Sequence, residues 1–580
     1  MKIEAGETRY RLVLRFIASN PLVKVYGEIM MWIQFRRRSS IILIGFIFGL
    51  YARAMGAEAH ASTVRNKQLV ISRAAYLDRA RAIWTAQMIG QWTGLLFEHQ
   101  VASALKETPL RPAKGYAPID DDYYYEMVAI RAFEKYGIHL TVEQLGEQWL
   151  ENNAGSWGSS EQALLLLKRG VKPPDTGSPR FNKLWWTIGP QFSSDVYGTL
   201  APGLPNVAAE MARRLTHING YAEGTDGAVF VSGMISLGFV ETNTKQIVRK
   251  AAQLVSPLSP YRQCLDMVIS MANDGKGPEE INHAINERWG IEYPATNNAV
   301  VNGAIVATSV WFGDGDFQKT ENLAFAAADF ADTDCNAANA GSVVAAMRGM
   351  SALPTGDVKA LNDRILGATM GSLKLTPPVD ESISELAKRT EIIGEKILLD
   401  HGARLEGDKL IIPAQQPKTS DPEIFTLSDL TRWWNPDWKL ERAGFGGAGG
   451  GLAGIRGDTY LDGDTLAIWP RDEIRGALLR RSVDLGDAPS LTFDAGADAG
   501  RTWHLVVFVN NEKVLDRLIG GDSPLKENAS ERHWEPIRID LAAYSNESVE
   551  IRLYDLILVP NRYAGNSYWR KLNLSGIQPK

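Results

Sequence analysis

Hydrophobic positions recur at helical spacing over the first two-thirds of the chain. Met127, Ile130 and Phe133 fall on one face, and Gly137 supplies a stop. Thr141-Val142-Glu143-Gln144 reads as a capping box that opens the next helix. Ile383, Leu386, Ile393 and Ile397 mark a further amphipathic helix, ended by Gly402. The small-residue runs at 324–328 and 337–341 suit helices that pack closely. From about Ala74 to Leu398 the pattern is mostly helical. After Gly402 the period changes. Residues 413–422 read as a linker, and 444–457 are glycine-rich. Beyond them Leu491, Phe493 and Ala495 alternate, as do Ile537, Ile539 and Leu541, then Val549, Ile551 and Leu553. Residues 504–509 form a near-continuous apolar strand. Short strands broken by Gly, Asp and Asn read as a β-sandwich or jelly roll.

The expected fold class is therefore multidomain: an all-α helical domain followed by an all-β sandwich (jelly roll). The expected boundaries are a leader at 1–59, the helical domain at 60–410, a linker and Gly-rich segment at 411–457, and the sandwich at 458–580. A length of 580 residues agrees with more than one hydrophobic core.

The leader carries a pattern of its own. Arg36-Arg37-Arg38 precedes an apolar run at 41–50, and Ala57-Glu58-Ala59 offers small residues for cleavage. That is the order of a secretory signal, of normal length if counted from Met30 or Met31. The run is too short for a span of about 20 residues, so an exported, periplasmic or extracellular protein is expected, without stable membrane insertion after cleavage. Residues 1–59 hold nine Lys/Arg against four Asp/Glu, which leaves the remainder at −11 of the formal −6 total. An acidic body excludes nucleic acid as the main partner. Cys264 and Cys335 are the two cysteines, too few for a disulfide framework.

Candidate chemistry lies in two acidic clusters. Asp120, Asp121 and Asp122 stand directly before a helix. Adjacent carboxylates repel one another, and a hard cation with oxygen ligands stabilises them far more than a helix dipole does. The bland alternative is a solvated acidic helix start. Asp332-Thr333-Asp334 places two more carboxylates at a helix start, with Cys335 and small residues behind them. Each cluster alone is a weak signal; together they point to one shared metal centre. No phosphate-binding glycine loop, Ser-His-Asp pattern or zinc-ligand spacing stands out.

These residues resemble the two signatures of the ADP-ribosylglycohydrolase family: Asp120-Asp121-Asp122 with Met127, and the run from Asp332 through Asn336 to Gly341. Gly90-Gln91-Trp92-Thr93-Gly94 with Glu98 is similar to its N-terminal motif. Ile188-Gly189-Pro190-Gln191, Ser194-Asp195-Val196-Tyr197-Gly198, His217-Ile218-Asn219-Gly220, Asn297-Asn298 and Gly313-Asp314-Gly315-Asp316 resemble a subgroup of it. The resemblance implies an all-α domain with a Mg²⁺ site, two ions with Mn²⁺ as a substitute. Asp120, Asp121, Asp122, Asp332 and Asp334 are then the metal ligands, with Glu98, Asp122 and Asp332 catalytic. Asp195, His217, Asn219 and Tyr123 become candidate substrate contacts. Asp120 stands where many relatives have Thr or Ser, and Cys335 where they have Thr. The C-terminal part resembles galactose-binding-like jelly rolls, with Trp503, Trp534, Tyr563 and Trp569 as candidate sugar platforms.

The expected activity is hydrolysis of an O- or N-glycosidic bond of a furanose-like sugar with a cis-diol, by metal-activated water. Export favours a small sugar, glycan or glycoconjugate as substrate. An ADP-ribosyl-protein or nucleoside-type hydrolase, and a catalytically silent glycan-binding protein, are the alternatives.

Overall fold

The computed structural model describes residues 68–98, 115–293, 296–441, 459–469, 476–521 and 532–579. The expected signal segment and the glycine-rich stretch 444–457 lie outside the described residues. No helix among the described residues is long and apolar enough to cross a membrane.

The helical part runs α1 (Arg73–Gly94), α2 (Asp121–Tyr136), α3 (Val142–Asn152), α4 (Gly158–Lys168), α5 (Gly189–Phe192), α6 (Asp195–Leu200), α7 (Pro205–Thr216) and α8 (Glu223–Gly238). It continues with α9 (Thr244–Ala252), α10 (Pro260–Asn273), α11 (Pro278–Ile285), α12 (Ala299–Gly313), α13 (Phe317–Phe325), α14 (Thr333–Arg348), α15 (Thr355–Leu361) and α16 (Ile383–Asp400). Every residue of α8 is buried, and nearly every residue of α12, so these helices form the centre and the amphipathic ones wrap them. The local signals read from sequence hold. Thr141 and Gln144 form the reciprocal capping box of α3, Gly137 ends α2 at φ 87°, and α16 stops two residues before Gly402.

Strands appear where helix was expected. Strands β3 (Arg364–Met370) and β4 (Leu373–Ser382) form a hairpin, and β2 (Ala117–Pro118) pairs parallel to β3. The turn holds Gly371 at φ +56°. Pro377 and Pro378 are tolerated because β4 is an edge strand, where a missing N–H leaves no ladder bond unmade.

The stretch expected as linker, 411–457, is structured as far as Glu441. Strand β1 (Gln68–Ser72) pairs antiparallel with β6 (Lys409–Pro413), which in turn pairs with β5 (Arg404–Glu406). The chain then lies along the helices. The Ser420 N–H donates to the Leu254 carbonyl at 2.9 Å. Glu423 accepts from the Ala222 N–H at 2.9 Å and the Thr225 hydroxyl at 2.8 Å, opposite Arg213 (3.1 Å) and His217 (2.9 Å). Helix α17 (Leu427–Trp434) leads into β7 (Lys439–Glu441).

The C-terminal domain is an antiparallel β-sheet domain built from β7 to β15. Its strands are β8 (Thr459–Asp462), β9 (Thr465–Ile468), β10 (Ala477–Ala497), β11 (Thr502–Val509), β12 (Glu512–Gly520), β13 (His533–Asp540), β14 (Ser548–Leu556) and β15 (Ser567–Ile577). The long β10 serves two sheets: its first half pairs with β7 and β14, its second with β13 and β15. Val549, Ile551 and Leu553 alternate inward, as their period requires. Trp503 and Trp569 are core residues, with ring centroids 5.1 Å apart, so neither is an open sugar platform. Trp534 is half-buried under the Arg570 guanidinium, 3.9 Å from its ring centroid. Tyr563 remains exposed.

Candidate active site

Two helix starts converge on one point. Asp120 is the N-cap of α2 and Asp332 the N-cap of α14, both on extended backbone. An Asp there ordinarily accepts from the helix N–H groups, a bond worth about 1 kcal/mol. Neither side chain makes that bond. One oxygen of Asp120, both of Asp122, one of Asp332 and one of Asp334 are buried without a hydrogen-bond partner. The solvated-cap alternative therefore fails at both helices.

What holds the two starts together is close backbone packing. A Cβ on Gly90 would lie 2.7 Å from the Ala338 nitrogen, and one on Gly94 would lie 2.4 Å from the Asp334 Cα. Only glycine at both positions, one helical turn apart on α1, lets α14 approach this closely. The Thr333 hydroxyl donates to the Gly94 carbonyl at 3.1 Å. Asn302 of α12 fixes the register from the other side. Its Oδ1 accepts from the Asp332 N–H at 2.8 Å and from Asn336 Nδ2 at 2.7 Å. Its own Nδ2 donates to the Thr296 and Asn298 carbonyls at 2.7 and 2.6 Å.

The carboxylates form two overlapping sets. Ligand atoms of Asp122, Asp334 and Cys335 lie within 4.8 Å of one another, and so do those of Glu98, Asp332 and Asp334. Asp334 belongs to both. Burial and the charge of Asp334 push the Asp121 carboxyl up to about 7. Burial, reinforced by neighbouring carboxylates, drives Asp120, Asp122 and Asp332 well above the usual range. Burial also pushes the Cys335 thiol up, and a protonated thiol is a poor partner for a hard cation. Buried carboxylates with orphaned oxygens suit an oxygen-loving divalent cation, so this cluster can hold a metal ion.

The cluster opens on a cleft of about 490 Å³, within the range of small-ligand sites. Glu98, Asp120, Asp121, Asp332, Asp334 and Cys335 line it. Trp157, Gly158, Ser159, Thr187, Ile188, Gly189, Phe192, Thr296 and Asn297 line much of the rest. The segments around Ile188 and Asn297 are tied across the fold: Ile188 N–H donates to the Asn297 carbonyl at 2.8 Å, and Ala299 N–H to that of Trp186 at 3.2 Å. Tyr125 accepts from the Ser156 N–H at 2.8 Å and so fixes the turn that presents Trp157.

Residues 72–395, more than half of the chain, match the model of the ADP-ribosylglycohydrolase family. The chain belongs to this family. Among curated proteins none matches it. Among solved structures, one titled "ADP-ribosylglycohydrolase-related protein complex" is 15% identical over 55% of this chain and 98% of its own, with a TM-score of 0.40. A second, "CBM4 structure and function", is 16% identical over 25% of this chain and 89% of its own, with a TM-score of 0.17. A third, a family GH115 4-O-methyl-α-glucuronidase with specificity for decorated arabinogalactans, is 11% identical over 65% of this chain and 42% of its own, with a TM-score of 0.16.

The ADP-ribosylglycohydrolase domain gathers Glu98 and all five expected Asp ligands at one place. Asp122 lies behind the cleft surface, against Asp334 and Cys335. The four expected substrate contacts fall elsewhere. Tyr123 is fully buried, and its hydroxyl donates to the Pro118 carbonyl. His217 ends α7 and pairs with Glu423, away from the cleft. Asn219 backs the wall, donating to the Ser160 hydroxyl at 3.0 Å. Asp195 is buried with Glu126, Gln87 and Asn339, accepting from Asn339 Nδ2 at 2.8 Å. Burial outweighs the bonds it receives and raises its carboxyl to about 7. Trp157, Ser159, Thr187 and Asn302 carried no motif signal that singled them out; their roles arise from segments far apart in sequence.

Proposed function

We propose that the protein is an exported glycohydrolase that cleaves an O- or N-glycosidic bond to a furanose-like sugar carrying a cis-diol, with Mg²⁺ or Mn²⁺ at the carboxylate cluster. The observation that carries this reading is the set of orphaned, buried carboxylate oxygens on two overlapping ligand sets that share Asp334. Asp120, Asp121, Asp122, Asp332 and Asp334 would hold the metal, two ions in this reading. Bound there, a divalent cation supplies Lewis-acid polarisation of the sugar hydroxyls and a water of lowered pKa. Glu98, at the cleft edge of the second set, takes the proton of the attacking water and returns one to the departing group. Asp332 and Asp122 orient the reacting groups through the cluster. The signal-like N-terminal segment supports export, and export favours a sugar or glycan substrate over an ADP-ribosylated intracellular protein. The family description is what supports the ADP-ribosyl alternative.

A hydrolysis screen of glycans and nucleotide sugars, with EDTA and then with Mg²⁺ or Mn²⁺ restored, tests the reading. Turnover that disappears in EDTA and returns with either ion is expected. Turnover indifferent to EDTA contradicts it.

A further inference from the structure

The helices that carry the carboxylate cluster also carry a second set of buried polar groups. Glu126 stands four residues after Asp122 on α2, and Asn339 four residues after Cys335 on α14. Each therefore lies on the same helix face, about 6 Å further along the axis. Gln87 shares a stripe of α1 with Gly90 and Gly94, the two glycines against which α14 packs. Asp195 opens α6, and Ser342 follows Asn339 by three residues. Gln87 Nε2 donates to Glu126 at 2.9 Å, and Asn339 Nδ2 donates to Asp195 at 2.8 Å. Gln87 also reaches Asp195, and the charge of Asp195 acts on Glu126. None of these five residues is more than 1% exposed, and none lines the cleft.

Each of the five carries an oxygen without a hydrogen-bond partner: Gln87 Oε1, Glu126 Oε1, Asp195 Oδ2, Asn339 Oδ1 and Ser342 Oγ. The Ser342 hydroxyl is near enough to act on the Asp195 carboxyl, yet it makes no well-formed bond. Both amides turn a nitrogen to a carboxylate, which leaves their oxygens over. Two buried carboxyls must be neutralised, and among the described residues no Lys, Arg or His pairs with either. Without a counter-charge, burial pushes the Asp195 carboxyl up to about 7 and the Glu126 carboxyl well above the usual range. A proton on one carboxyl removes charge but supplies a single donor, and both amide oxygens stay unmatched. A hard cation meets carboxylate, amide and hydroxyl oxygens together.

We propose that Glu126 and Asp195, with the amide oxygens of Gln87 and Asn339 and the Ser342 hydroxyl, form a separate, closed cation site that takes one Ca²⁺ ion. Its two charges match the two carboxylates, and Ca²⁺ accepts carboxylate and amide oxygens in flexible geometry. Mg²⁺ dehydrates reluctantly and keeps waters, so it suits the cleft cluster and not this interior site. The ion enters as the chain folds and ties α1, α2, α6 and α14 together one turn behind the cleft carboxylates. The site does not depend on the glycohydrolase reading.

The test is to unfold the intact protein in urea with EDTA and refold it in excess Mg²⁺, with or without Ca²⁺. Calcium kept through gel filtration is counted by atomic emission, and Tm is measured alongside. The unaltered protein is expected to keep one Ca²⁺ per chain and to show a Tm that rises with Ca²⁺ concentration. Glu126→Gln and Asp195→Asn should each lower the calcium kept about tenfold or more and remove the rise in Tm. Without Ca²⁺ their Tm should equal or exceed that of the unaltered protein, because each removes a buried charge and keeps the shape. Should either fail to refold, Ser342→Ala, which keeps both charges, should weaken Ca²⁺ retention about tenfold. Folded Asp334→Asn should keep its calcium, so failure of the cleft metal centre to bind Mn²⁺ leaves this site standing. No calcium kept by the unaltered protein, calcium kept by Glu126→Gln and Asp195→Asn, or calcium lost from folded Asp334→Asn each overturns the proposal.

Discussion

Gly94 of α1 and Asp334 of α14 are in backbone contact, so close that a single methyl group on Gly94 would lie 2.4 Å from the Asp334 Cα. Helix propensity alone favours alanine over glycine by about 1 kcal/mol. Here the collision dominates, because overpacking costs about 1–3 kcal/mol and the atoms a methyl would meet are backbone, not the end of a flexible side chain. Gly94→Ala is expected to lower Tm and weaken Mn²⁺ binding together. Gly356→Ala, in α15 with open space around it, is the control and should leave both unchanged or raise Tm slightly. Calorimetry with a Mn²⁺ titration reads both effects.

Asn302 supports the same helix start from α12. Asn302→Ala removes the acceptor for the part-buried Asp332 N–H and for the buried Asn336 Nδ2, leaving both donors unmatched. The expected cost is about 1–3 kcal/mol per unpaired group, and metal affinity should fall about 10- to 100-fold, as for other residues that orient ligands. Unaltered Mn²⁺ affinity would show that Asn302 does not position the cluster.

The acidic cluster sets a pH dependence with a definite sign. Asp121 titrates at about 7 in the folded, metal-free protein, against an ordinary 3.8. The folded state therefore holds a proton that the unfolded state has already lost. Its contribution to stability is full below pH 3.8 and is lost as pH rises through 7. Bound metal takes the place of that proton. The rise in Tm on adding Mg²⁺ is expected to grow between pH 5 and 8, and a pH-independent rise would contradict the coupling.

Glu423 anchors the strap that follows the helical domain. Burial pushes its carboxyl up, but the bond and charge of His217, the Arg213 charge and the Thr225 hydroxyl outweigh it and hold the group at about 2. With a folded value below the ordinary 4.5, its contribution is present above pH 4.5 and is lost as pH falls toward 2. Glu423→Gln is expected to cost about 3 kcal/mol at neutral pH, with the difference narrowing below pH 4.5. Urea unfolding at pH 7 and pH 3.5 measures it. Mn²⁺ binding should not change.

Sequence showed most clearly what depends on local spacing. The α3 capping box, the Gly137 stop and the inward alternation of Val549, Ile551 and Leu553 are short-range matters of backbone and period. The acidic ligands were legible because each cluster sits at one helix start, and Gly90 and Gly94 because a family motif marks them. The rest of the cleft lining was legible only in part: Asn297 lies in a motif, but Trp157, Ser159 and Thr187 join it only through the tertiary fold. The same limit misplaced His217 and Tyr123. Both stand near motifs, yet His217 finds its partner 206 residues away in Glu423, and Tyr123 points inward from the helix that Asp120 caps. Among the tryptophans of the sandwich, Trp503 and Trp569 look like platforms by type alone; strand pairing turns both into the core.

The central claim is that the two carboxylate sets form one metal centre through Asp334. Electron paramagnetic resonance of Mn²⁺ titrated into the protein, with and without Asp334→Asn, tests it most directly. Binding of two ions in the unaltered protein, with both lost or strongly weakened by Asp334→Asn, is the expected result. No Mn²⁺ binding in the unaltered protein, or binding that Asp334→Asn leaves intact, would contradict it.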